Sequence, residues 1–420
     1  MRFGEIPFLR FMTTQGIMTT NAEPSSVPEW LRLSRSSLHI TTVLRTLAQR
    51  EQIRASARSA SRHKSDPSLA HRLSHLGALV THESEHVDHY SISASVHPDN
   101  QRANRYADVG SYDRTRITAP RGIVEDGDSS PSDGRYLNGN WVRELFGGKW
   151  WIATQAPLPH TAHAFLSVIL QSVTRPPDNL HYLPGAESNT SRIRTVVQLT
   201  RNIESGMLKA HVYFPPLEGQ SWVMSPEPGC AATSIKVTLL KVTSIDEAHC
   251  VQSIVSVQPV LPQDVEPVVF QHMLYGSWPD HGVPSEEDRI GLLRFTRLVD
   301  QTNRDLSWEP ESLRNELDPD PPIMVNCSAG IGRTGAFIAV SSLLRAQGLL
   351  SPVTSLSSGE MSTPPPLPPS PLGPLPEELH EDLVAQEIDS LREQRPGMVQ
   401  KEEQILFVYE MLTEAFSALK

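Results

Sequence analysis

The stretch VNCSAGIGRTGAF, from Val325 to Phe337, constrains this chain more than any other part of the sequence. It places one of only three cysteines, Cys327, in a glycine-rich turn, with Arg333 six residues later. The apolar run PIMV before the turn predicts a short buried strand, and AFIAVSSLL after it predicts a helix. We therefore expect a strand-turn-helix unit in which backbone N–H groups and a helix N-terminus point at one spot.

Such a turn is suited to binding an anion and to activating a thiol. Gly330, Gly332 and Gly335 allow the backbone to approach a ligand closely. The positive field of the turn lowers the pKa of a thiol, so we expect Cys327 to be a thiolate near neutral pH. Arg333 adds a planar guanidinium that matches two oxygens of a phosphate. The stretch predicts attack on phosphorus, with a cysteinyl-phosphate intermediate.

Two other interpretations of the turn fail on its residues. An ATP-binding P-loop ends in Gly-Lys-Ser or Gly-Lys-Thr, whereas Gly335 is followed by Ala336. A cysteine protease needs a partner histidine, and no local family signature indicates one.

Composition narrows the class of protein. The chain has 420 residues, and its 38% hydrophobic content and 35 prolines indicate that part of it is not packed. Three cysteines are too few for a disulfide framework, and no apolar run reaches the roughly 18 residues of a membrane span. We therefore expect a cytoplasmic or nuclear protein with no membrane partner. The net charge of −11 argues against nucleic acid as a partner.

The pattern along the chain predicts one interrupted domain. Residues 1–30 lack periodicity and are predicted to be disordered, and the domain covers 31–418 with a proline-rich insertion at 351–376. The insertion contains PxxP motifs, so it is either an exposed loop or a docking site for an SH3-type partner. The basic stretch 32–64 predicts a solvated helix face from Ser37, followed by a linker from Arg54.

Shorter patterns predict the elements of an α/β domain. A capping box at Ser285 and Asp288 predicts the start of a helix, and LVAQEIDSLREQ predicts another. VEDGDSSPSDG predicts a loop. Four β-branched or alternating runs predict strands: TVVQLT, LKAHVYFPP, SIKVTLLKV and QSIVSVQPV.

CSAGIGRTG resembles the signature loop of the classical, cysteine-dependent protein tyrosine phosphatases of the non-receptor type. Each of the other family motifs is compatible by itself with ordinary surface, but together they occur in family order. They run from about residue 100 to about residue 410: NRYADV, YLNGNWV, TQAPLPHT, LTRNIESGMLKAHVYFP, WPDHGVP and RPGMVQKEEQILFVYE. The resemblance implies an α/β (α+β) fold, with a central twisted mixed β-sheet flanked by helices.

The resemblance also implies a role for each matching residue. Asp280, in WPDHGVP, is the general acid that protonates the departing tyrosine oxygen. Tyr106 stacks on the substrate ring, and Asp108 holds the backbone of the substrate peptide. Gln400 and Gln404 position the water that hydrolyses the intermediate.

Other residues are implied to support these groups. Glu204 orients Arg333, and Lys209 contacts the loop that carries the acid. The remaining catalytic, phosphate-binding and supporting positions are Thr334, Ser328, Ala329, Gly330, Ile331, Gly332, Trp278 and Asn326. The resemblance implies phosphotyrosine proteins as substrates and requires no metal or other cofactor.

The chain lacks the tryptophans that the family has after TQAPLPHT, which bears on packing, and one further departure bears on the chemistry. The family usually has histidine immediately before the cysteine, and this chain has Asn326. A second hypothesis is therefore a pseudophosphatase or phosphotyrosine-binding module with weak turnover. A third is a scaffold that acts through the proline-rich insertion and the basic N-terminal region. Retention of Cys327, Arg333 and Asp280 favours the enzyme.

Overall fold

The computed structural model describes residues 27–64, 81–121, 134–171, 174, 176, 191–262, 265–280, 282–353 and 367–418. The helices in these residues are α1 (Glu29–Leu33), α2 (Ser37–Lys64), α3 (Thr81–His89), α4 (Ser93–Val96), α5 (Ala162–Ile169), α6 (Glu286–Arg304), α7 (Gly332–Ala346), α8 (Leu383–Gln394) and α9 (Glu402–Ser417). The strands are β1 (Arg116–Ala119), β2 (Arg135–Arg143), β3 (Trp150–Thr154), β4 (Thr195–Gln198), β5 (Ile203–Glu204), β6 (Met207–Leu208), β7 (Ser221–Met224), β8 (Ile235–Ile245), β9 (Cys250–Pro259), β10 (Val268–Tyr275) and β11 (Ile323–Asn326).

A mixed sheet forms the centre of the domain. Within the described residues it has nine strands in the order β1-β2-β3-β11-β4-β10-β9-β8-β7. The neighbours among β3, β11, β4 and β10 are parallel. The outer pairs on both sides are antiparallel. The mixed α/β fold predicted from the sequence is confirmed.

Both faces of the central strands are covered, as expected for buried parallel strands. In β11, Ile323 and Val325 lie in the apolar cluster that also contains residues of α6, α7, α8 and α9. Met324 points the other way, into the cluster that contains α5. This alternation fixes β11 in the middle of the core and places Cys327 where the strand ends.

Most of the predicted elements are confirmed. The runs TVVQLT, SIKVTLLKV and QSIVSVQPV lie in β4, β8 and β9, and LVAQEIDSLREQ is α8. Ser285 caps α6 by accepting a hydrogen bond from the N–H of Asp288. Most of the predicted loop VEDGDSSPSDG lies outside the described residues.

The predicted strand LKAHVYFPP is wrong for most of its length. Only its first residue, Leu208, is in a strand, the two-residue β6. The N–H groups of Lys209 and Ala210 both donate to the carbonyl of Asn202, at 2.8 and 3.3 Å. This contact turns the chain back beside β5 and leaves the alternating pattern without a sheet partner.

The basic stretch is only in part a solvated face, since Arg45 is exposed but later arginines are not, and it is not a linker. Helix α2 continues to Lys64 and includes most of the predicted linker. Arg50 and Arg54 are buried, and both pair with Asp389 of α8, at 2.9 and 2.7 Å. Arg54 also contacts Glu393 at 2.6 Å. These arginines therefore attach α2 to the domain, since a buried guanidinium must be paired or hydrogen-bonded and a carboxylate offsets its charge.

The described N-terminal part of the chain begins before the predicted boundary. Residues 1–26 lie outside the described residues, and the boundary at residue 30 falls inside α1. Val27 and Leu31 are buried in the main apolar cluster. Within the described parts of the chain, no helix is long and apolar enough to cross a membrane.

The proline-rich insertion is packed against the domain at its C-terminal end. Residues 354–366 are outside the described residues, but Leu375 is buried. Arg50 donates hydrogen bonds to the carbonyls of Leu372, Gly373 and Pro374, at 3.2, 2.7 and 3.3 Å. The interpretation of the whole insertion as an exposed loop is therefore wrong for its last residues.

Two deletions test this division of the insertion. Removing residues 355–365 should leave aryl phosphate hydrolysis and the unfolding temperature nearly unchanged, because the entropy of closing a chain segment depends only weakly on its length. Extending the deletion to residue 375 removes a buried leucine, and we expect a loss of about 2 kcal/mol or more of unfolding free energy. Equal stability of the two deletion variants, measured by thermal denaturation, would contradict the packing of Leu375.

Candidate active site

The turn after β11 brings the backbone very close to neighbouring segments. Gly330 has a positive φ of 72°, and a Cβ at this position would lie 1.9 Å from the carbonyl oxygen of Thr154. A Cβ on Gly335, in the first turn of α7, would lie 2.4 Å from the backbone nitrogen of Val399. Only glycine fits at these two positions, so the glycine pattern of the sequence is explained by close packing.

The thiol of Cys327 is buried in this turn and stabilised as a thiolate. The N–H of Gly330 donates to its Sγ at 3.3 Å. Burial opposes ionisation, but the charge of Arg333 and the backbone N–H groups of Thr334 and Ile331 lower the pKa of Cys327 below its ordinary value. The buried thiol of Cys250 shows the contrast, because burial without such groups raises its pKa to about 12.

Two carboxylates and two carbonyls hold Arg333. Its Nη1 and Nη2 each donate to Glu204 at 2.8 Å, in the bidentate geometry that orients a guanidinium best. Nη2 also contacts Asp280 at 3.2 Å. Nη1 contacts the carbonyls of Leu199 and Trp278, at 3.1 and 3.3 Å. Burial by itself would raise the pKa of Glu204, but the hydrogen bond and the charge of Arg333 lower it below its ordinary value.

The loop that carries Asp280 lies against the same arginine. The second oxygen of Asp280 contacts Nζ of Lys209 at 2.7 Å, so two cations hold this carboxylate. Trp278 is buried and packs on Phe407 of α9, with ring centroids 5.3 Å apart. Its indole N–H donates to the carbonyl of Gly282 at 3.2 Å. The tryptophan therefore anchors the loop to the domain.

Tyr106 stands beside the turn that holds the thiol. Its hydroxyl contacts the hydroxyl of Ser328 at 2.8 Å, and Ser328 donates to the carbonyl of Lys209 at 2.7 Å. Asp108, two residues later, is exposed. The structure thus brings Tyr106 to the turn and places Asp108 at the surface next to it.

The two predicted glutamines are placed differently. The side chain of Gln404 is buried beside Gly332, and its Oε1 accepts a hydrogen bond from the N–H of Lys401 at 3.2 Å. Gln400 is exposed. The N–H of Val399 donates to the carbonyl of Ile331 at 3.2 Å, so the loop between α8 and α9 is attached to the turn one residue before Gln400.

Sequence reasoning missed the arginine that supports the turn from behind. Arg395 is fully buried and donates to the carbonyls of Gly330 and Ala329, at 2.7 and 3.0 Å. It also donates to the side-chain oxygens of Asn140 and Asn138, at 2.8 and 3.1 Å. The available signals were the polar asparagines inside the apolar strand β2 and the arginine before Pro-Gly in RPGMVQ.

A second missed arginine connects α2 to the loop between α8 and α9. Arg392 donates to the carbonyls of Met398 and Val399, at 2.9 and 2.8 Å, and to the carbonyl of Leu47 at 3.0 Å. The N-terminal helix is therefore connected to the turn through α8 and this loop.

Asn326 is the least satisfied polar residue of the site. Its side chain is fully buried, and neither Oδ1 nor Nδ2 has a hydrogen-bond partner among the described residues. It pairs in register with Thr154 of β3, whose buried hydroxyl is also unpartnered among these residues. Asn326 therefore stabilises the thiolate through no direct hydrogen bond. No group of three or more His, Cys, Asp or Glu side chains in the described residues could hold a metal ion.

Known proteins resemble this chain in sequence and in fold. The family model of protein-tyrosine phosphatases matches residues 100–175 and 189–349, which is more than half of the chain. The chain belongs to the protein-tyrosine phosphatase family. The matched residues of this phosphatase domain include the turn with Cys327 and Arg333 and the loop with Asp280.

Named relatives cover much of the phosphatase chain. Human tyrosine-protein phosphatase non-receptor type 18 is 29% identical over 329 residues, which are 78% of this chain and 54% of that protein. Human receptor-type tyrosine-protein phosphatase H is 28% identical over 75% of this chain and 21% of that protein. Human non-receptor type 20 is 27% identical over 77% of this chain and 56% of that protein. The chain thus spans about half the length, or less, of these relatives.

A solved structure supports the fold. Its title is "Structural basis of PTPN18 fingerprint on distinct HER2 tyrosine phosphorylation sites". It matches with a TM-score of 0.50 and 24% identity, over 78% of this chain and 88% of the other. The predicted phosphatase fold is confirmed.

Proposed function

We propose that the protein hydrolyses phosphotyrosine in proteins through a cysteinyl-phosphate intermediate on Cys327. The observation that carries this proposal is a thiol with a lowered pKa in a turn of N–H donors, beside an arginine fixed by Glu204. Phosphate monoesters hydrolyse extremely slowly without a catalyst, so the site must stabilise the transferring phosphoryl group strongly. The turn amides and Arg333 supply that stabilisation.

In the first step, the thiolate of Cys327 attacks phosphorus in line and the bond to the tyrosine oxygen breaks. Asp280 gives its proton to the departing oxygen. The structure supports this role because Asp280 already lies on Arg333, the residue that binds the phosphate. When a phosphate occupies the guanidinium, it competes with Asp280 for Nη2 and frees the carboxyl group to take up its proton.

In the second step, water attacks the phosphorus of the cysteinyl phosphate and the bond to sulfur breaks. Asp280 accepts the proton of this water, and the thiolate and inorganic phosphate are released. Gln400 and Gln404 orient the water in this proposal. Gln404 is already beside Gly332, whereas Gln400 must turn inward from its exposed position. Thr334 supports the thiolate that leaves.

Selection of tyrosine follows from the depth of the site. Cys327 is only 5% exposed, so phosphorus must reach it on a long, rigid side chain. Tyr106 supplies a ring next to the turn for the substrate ring to stack on, and exposed Asp108 is placed to accept hydrogen bonds from the peptide backbone. A short phosphoserine side chain does not bring its phosphorus to the thiol.

Three lesser parts of the proposal rest on other observations. We propose a cytoplasmic or nuclear location, supported by the free cysteines Cys230, Cys250 and Cys327. We also propose a role in signal transduction, which rests on the proposed phosphotyrosine substrates. SH3-type docking at the insertion is confined to residues 351–371, because the last residues contact Arg50 and the core. The pseudophosphatase hypothesis rests on Asn326 alone.

The direct test compares phosphopeptides of one sequence that carry phosphotyrosine or phosphoserine. The purified protein should release phosphate from the phosphotyrosine peptide with a kcat/KM at least about 10³-fold higher, because only this side chain reaches the thiol. Binding of the phosphotyrosine peptide without phosphate release would support the pseudophosphatase. Equal release from both peptides would contradict the depth argument.

The exchange Asn326→His tests the residue that departs from the family pattern. Asparagine cannot become cationic, so we expect the thiol of the wild type to have a higher pKa than the thiol of the histidine variant. Each pKa unit of difference corresponds to about 1.36 kcal/mol in the free energy of ionising the thiol. The thiolate fraction rises with pH through this pKa, so inactivation by iodoacetate should begin at lower pH in Asn326→His. A thiol of higher pKa is also the better intrinsic nucleophile, so the turnover near pH 7 need not fall in proportion.

The matched control is Thr154→Val, which removes the neighbouring unpartnered hydroxyl and introduces no charge. Its inactivation profile should follow that of the wild type. Equal apparent pKa values in the wild type and Asn326→His, or a lower one in the wild type, would contradict the role of Asn326.

A further inference from the structure

The loop that carries Asp280 has a further attachment, at the end where it leaves the central sheet. It begins at Gly276, directly after β10, and the Nε of Arg201 donates to the carbonyl of Gly276 at 2.8 Å. The two residues are close together, since a Cβ on Gly276 would lie 3.3 Å from the same Nε. Arg201 therefore contacts the loop four residues before the carboxylate that the proposed mechanism uses.

Arg201 also belongs to the segment that orients Arg333. The N–H of Arg201 donates to Oε1 of Glu204 at 3.0 Å, and the hydroxyl of Thr200 donates to the same oxygen at 2.8 Å. That oxygen in turn accepts a hydrogen bond from Nη1 of Arg333 at 2.8 Å. The backbone of Arg201 is thus connected to the carboxylate that holds Arg333, and its side chain is connected to the loop that carries the acid.

The first residues of this loop border a cavity. Gly276 and Ser277 line it together with Arg201, His249 and Leu274, and its volume is about 540 Å³. The N–H of Gly276 also donates to the carbonyl of His249, at a long 3.4 Å. Because the loop faces a cavity here and not a close-packed surface, polar contacts such as that from Arg201 determine its position at this end.

We infer that Arg201 is a positioning residue: its hydrogen bond to Gly276 stabilises the loop in the position in which Asp280 lies on Arg333. Loops that carry catalytic groups exchange between positions, and a contact made in one position shifts the population towards it. Asp280 protonates the departing oxygen only when its loop is in place. The inference rests on the proposed function and adds a residue that sets how often the acid is available.

The experiment compares Arg201→Met with Arg201→Gln. Methionine places a methyl group, and glutamine an N–H donor, at the same point along the side chain as Nε of arginine. Arg201→Met should lower kcat for a phosphotyrosine peptide about two- to tenfold, the range that one hydrogen bond covers, with KM changed much less. Arg201→Gln should keep most of the wild-type kcat. Both variants should keep the unfolding temperature, because Arg201 is exposed.

The double variant Asp280→Asn/Arg201→Met separates positioning of the acid from a general effect. Asp280→Asn has no proton to donate, so the added exchange of Arg201 should lower kcat by less than about twofold. Arg294→Met is the matched control, since Arg294 is an exposed arginine whose Nη1 contacts another carbonyl, that of Glu247, at 3.5 Å. It should keep the wild-type kcat. An unchanged kcat in Arg201→Met, an equal loss in Arg201→Gln, or the same loss in the Asp280→Asn background would overturn the inference.

Hydrogen exchange tests the same contact without turnover. Peptides that contain Trp278 and Asp280 should exchange their amide hydrogens faster in Arg201→Met than in the wild type, Arg201→Gln or Arg294→Met. Equal exchange in all four proteins would also overturn the inference. Faster exchange in Arg201→Met, in a protein that hydrolyses no phosphopeptide, would support the role of Arg201 in placing the loop and contradict the proposed function.

Discussion

The exchange Cys327→Ser is expected to lower phosphotyrosine hydrolysis by about 10⁴-fold or more, the scale on which loss of a covalent nucleophile acts. The surroundings that lower the pKa of the Cys327 thiol cannot ionise a serine hydroxyl, which is a far weaker acid, so the variant lacks a strong nucleophile. The arginine and the turn amides remain in place. We therefore expect the variant to keep its unfolding temperature and to bind phosphotyrosine peptide, measured by calorimetry, with at least wild-type affinity.

Cys230→Ser is the matched control, because it makes the same chemical change at a partly exposed thiol away from the turn. It should turn over at the wild-type rate. Retention of more than a hundredth of the wild-type rate in Cys327→Ser would remove Cys327 from the role of nucleophile.

The exchange Asp280→Asn is expected to lower kcat by about 10²–10⁴-fold, the usual contribution of general acid-base catalysis. The amide keeps the size of the carboxyl group but cannot donate a proton to the departing oxygen. KM should change much less, because the turn and Arg333 still bind phosphate. Single-turnover kinetics should be compared for a phosphopeptide and for an aryl phosphate of a more acidic phenol. The comparison separates the loss of proton donation from any other effect of the exchange.

The loss should be smaller for the more acidic phenol, which leaves with less help from a proton. Asp99→Asn is the control, since the side chain of Asp99 is 87% exposed and forms an ion pair with His97 at 3.6 Å. Equal losses for both leaving groups would show that Asp280 acts in another way, for example by holding Lys209 and Arg333.

The contiguous motifs made the turn and the acid loop predictable from the sequence. The residues proposed to bind phosphate are concentrated in the segment around Cys327, and the local strand-turn-helix pattern sets their geometry. The capping box at Ser285 and the apolar run of α8 were predictable for the same reason, because short-range hydrogen bonds and periodicity decide them.

The supporting contacts were not predictable, because their partners are far apart in the sequence. Arg395 reaches Asn140 across 255 positions, and Arg54 reaches Glu393 across 339. A single sequence does not show which basic residues are buried, so Arg50 was predicted on a solvated face and Arg54 in a linker. The strand prediction for LKAHVYFPP was wrong because the N–H groups of Lys209 and Ala210 donate hydrogen bonds to the carbonyl of Asn202 and not to a neighbouring strand of the central sheet.

The central claim is that the phosphoryl group passes through the sulfur of Cys327. The most direct measurement is to mix the protein with phosphotyrosine peptide, stop the reaction within milliseconds, and map the phosphorylated residue by mass spectrometry. The account predicts a phosphoryl group on the peptide that contains Cys327, absent from Cys327→Ser. A phosphoryl group on another residue would contradict it. Release of phosphate at the full rate with no phosphorylated protein, either in the wild type or in a variant with Gln400 and Gln404 replaced, would also contradict it.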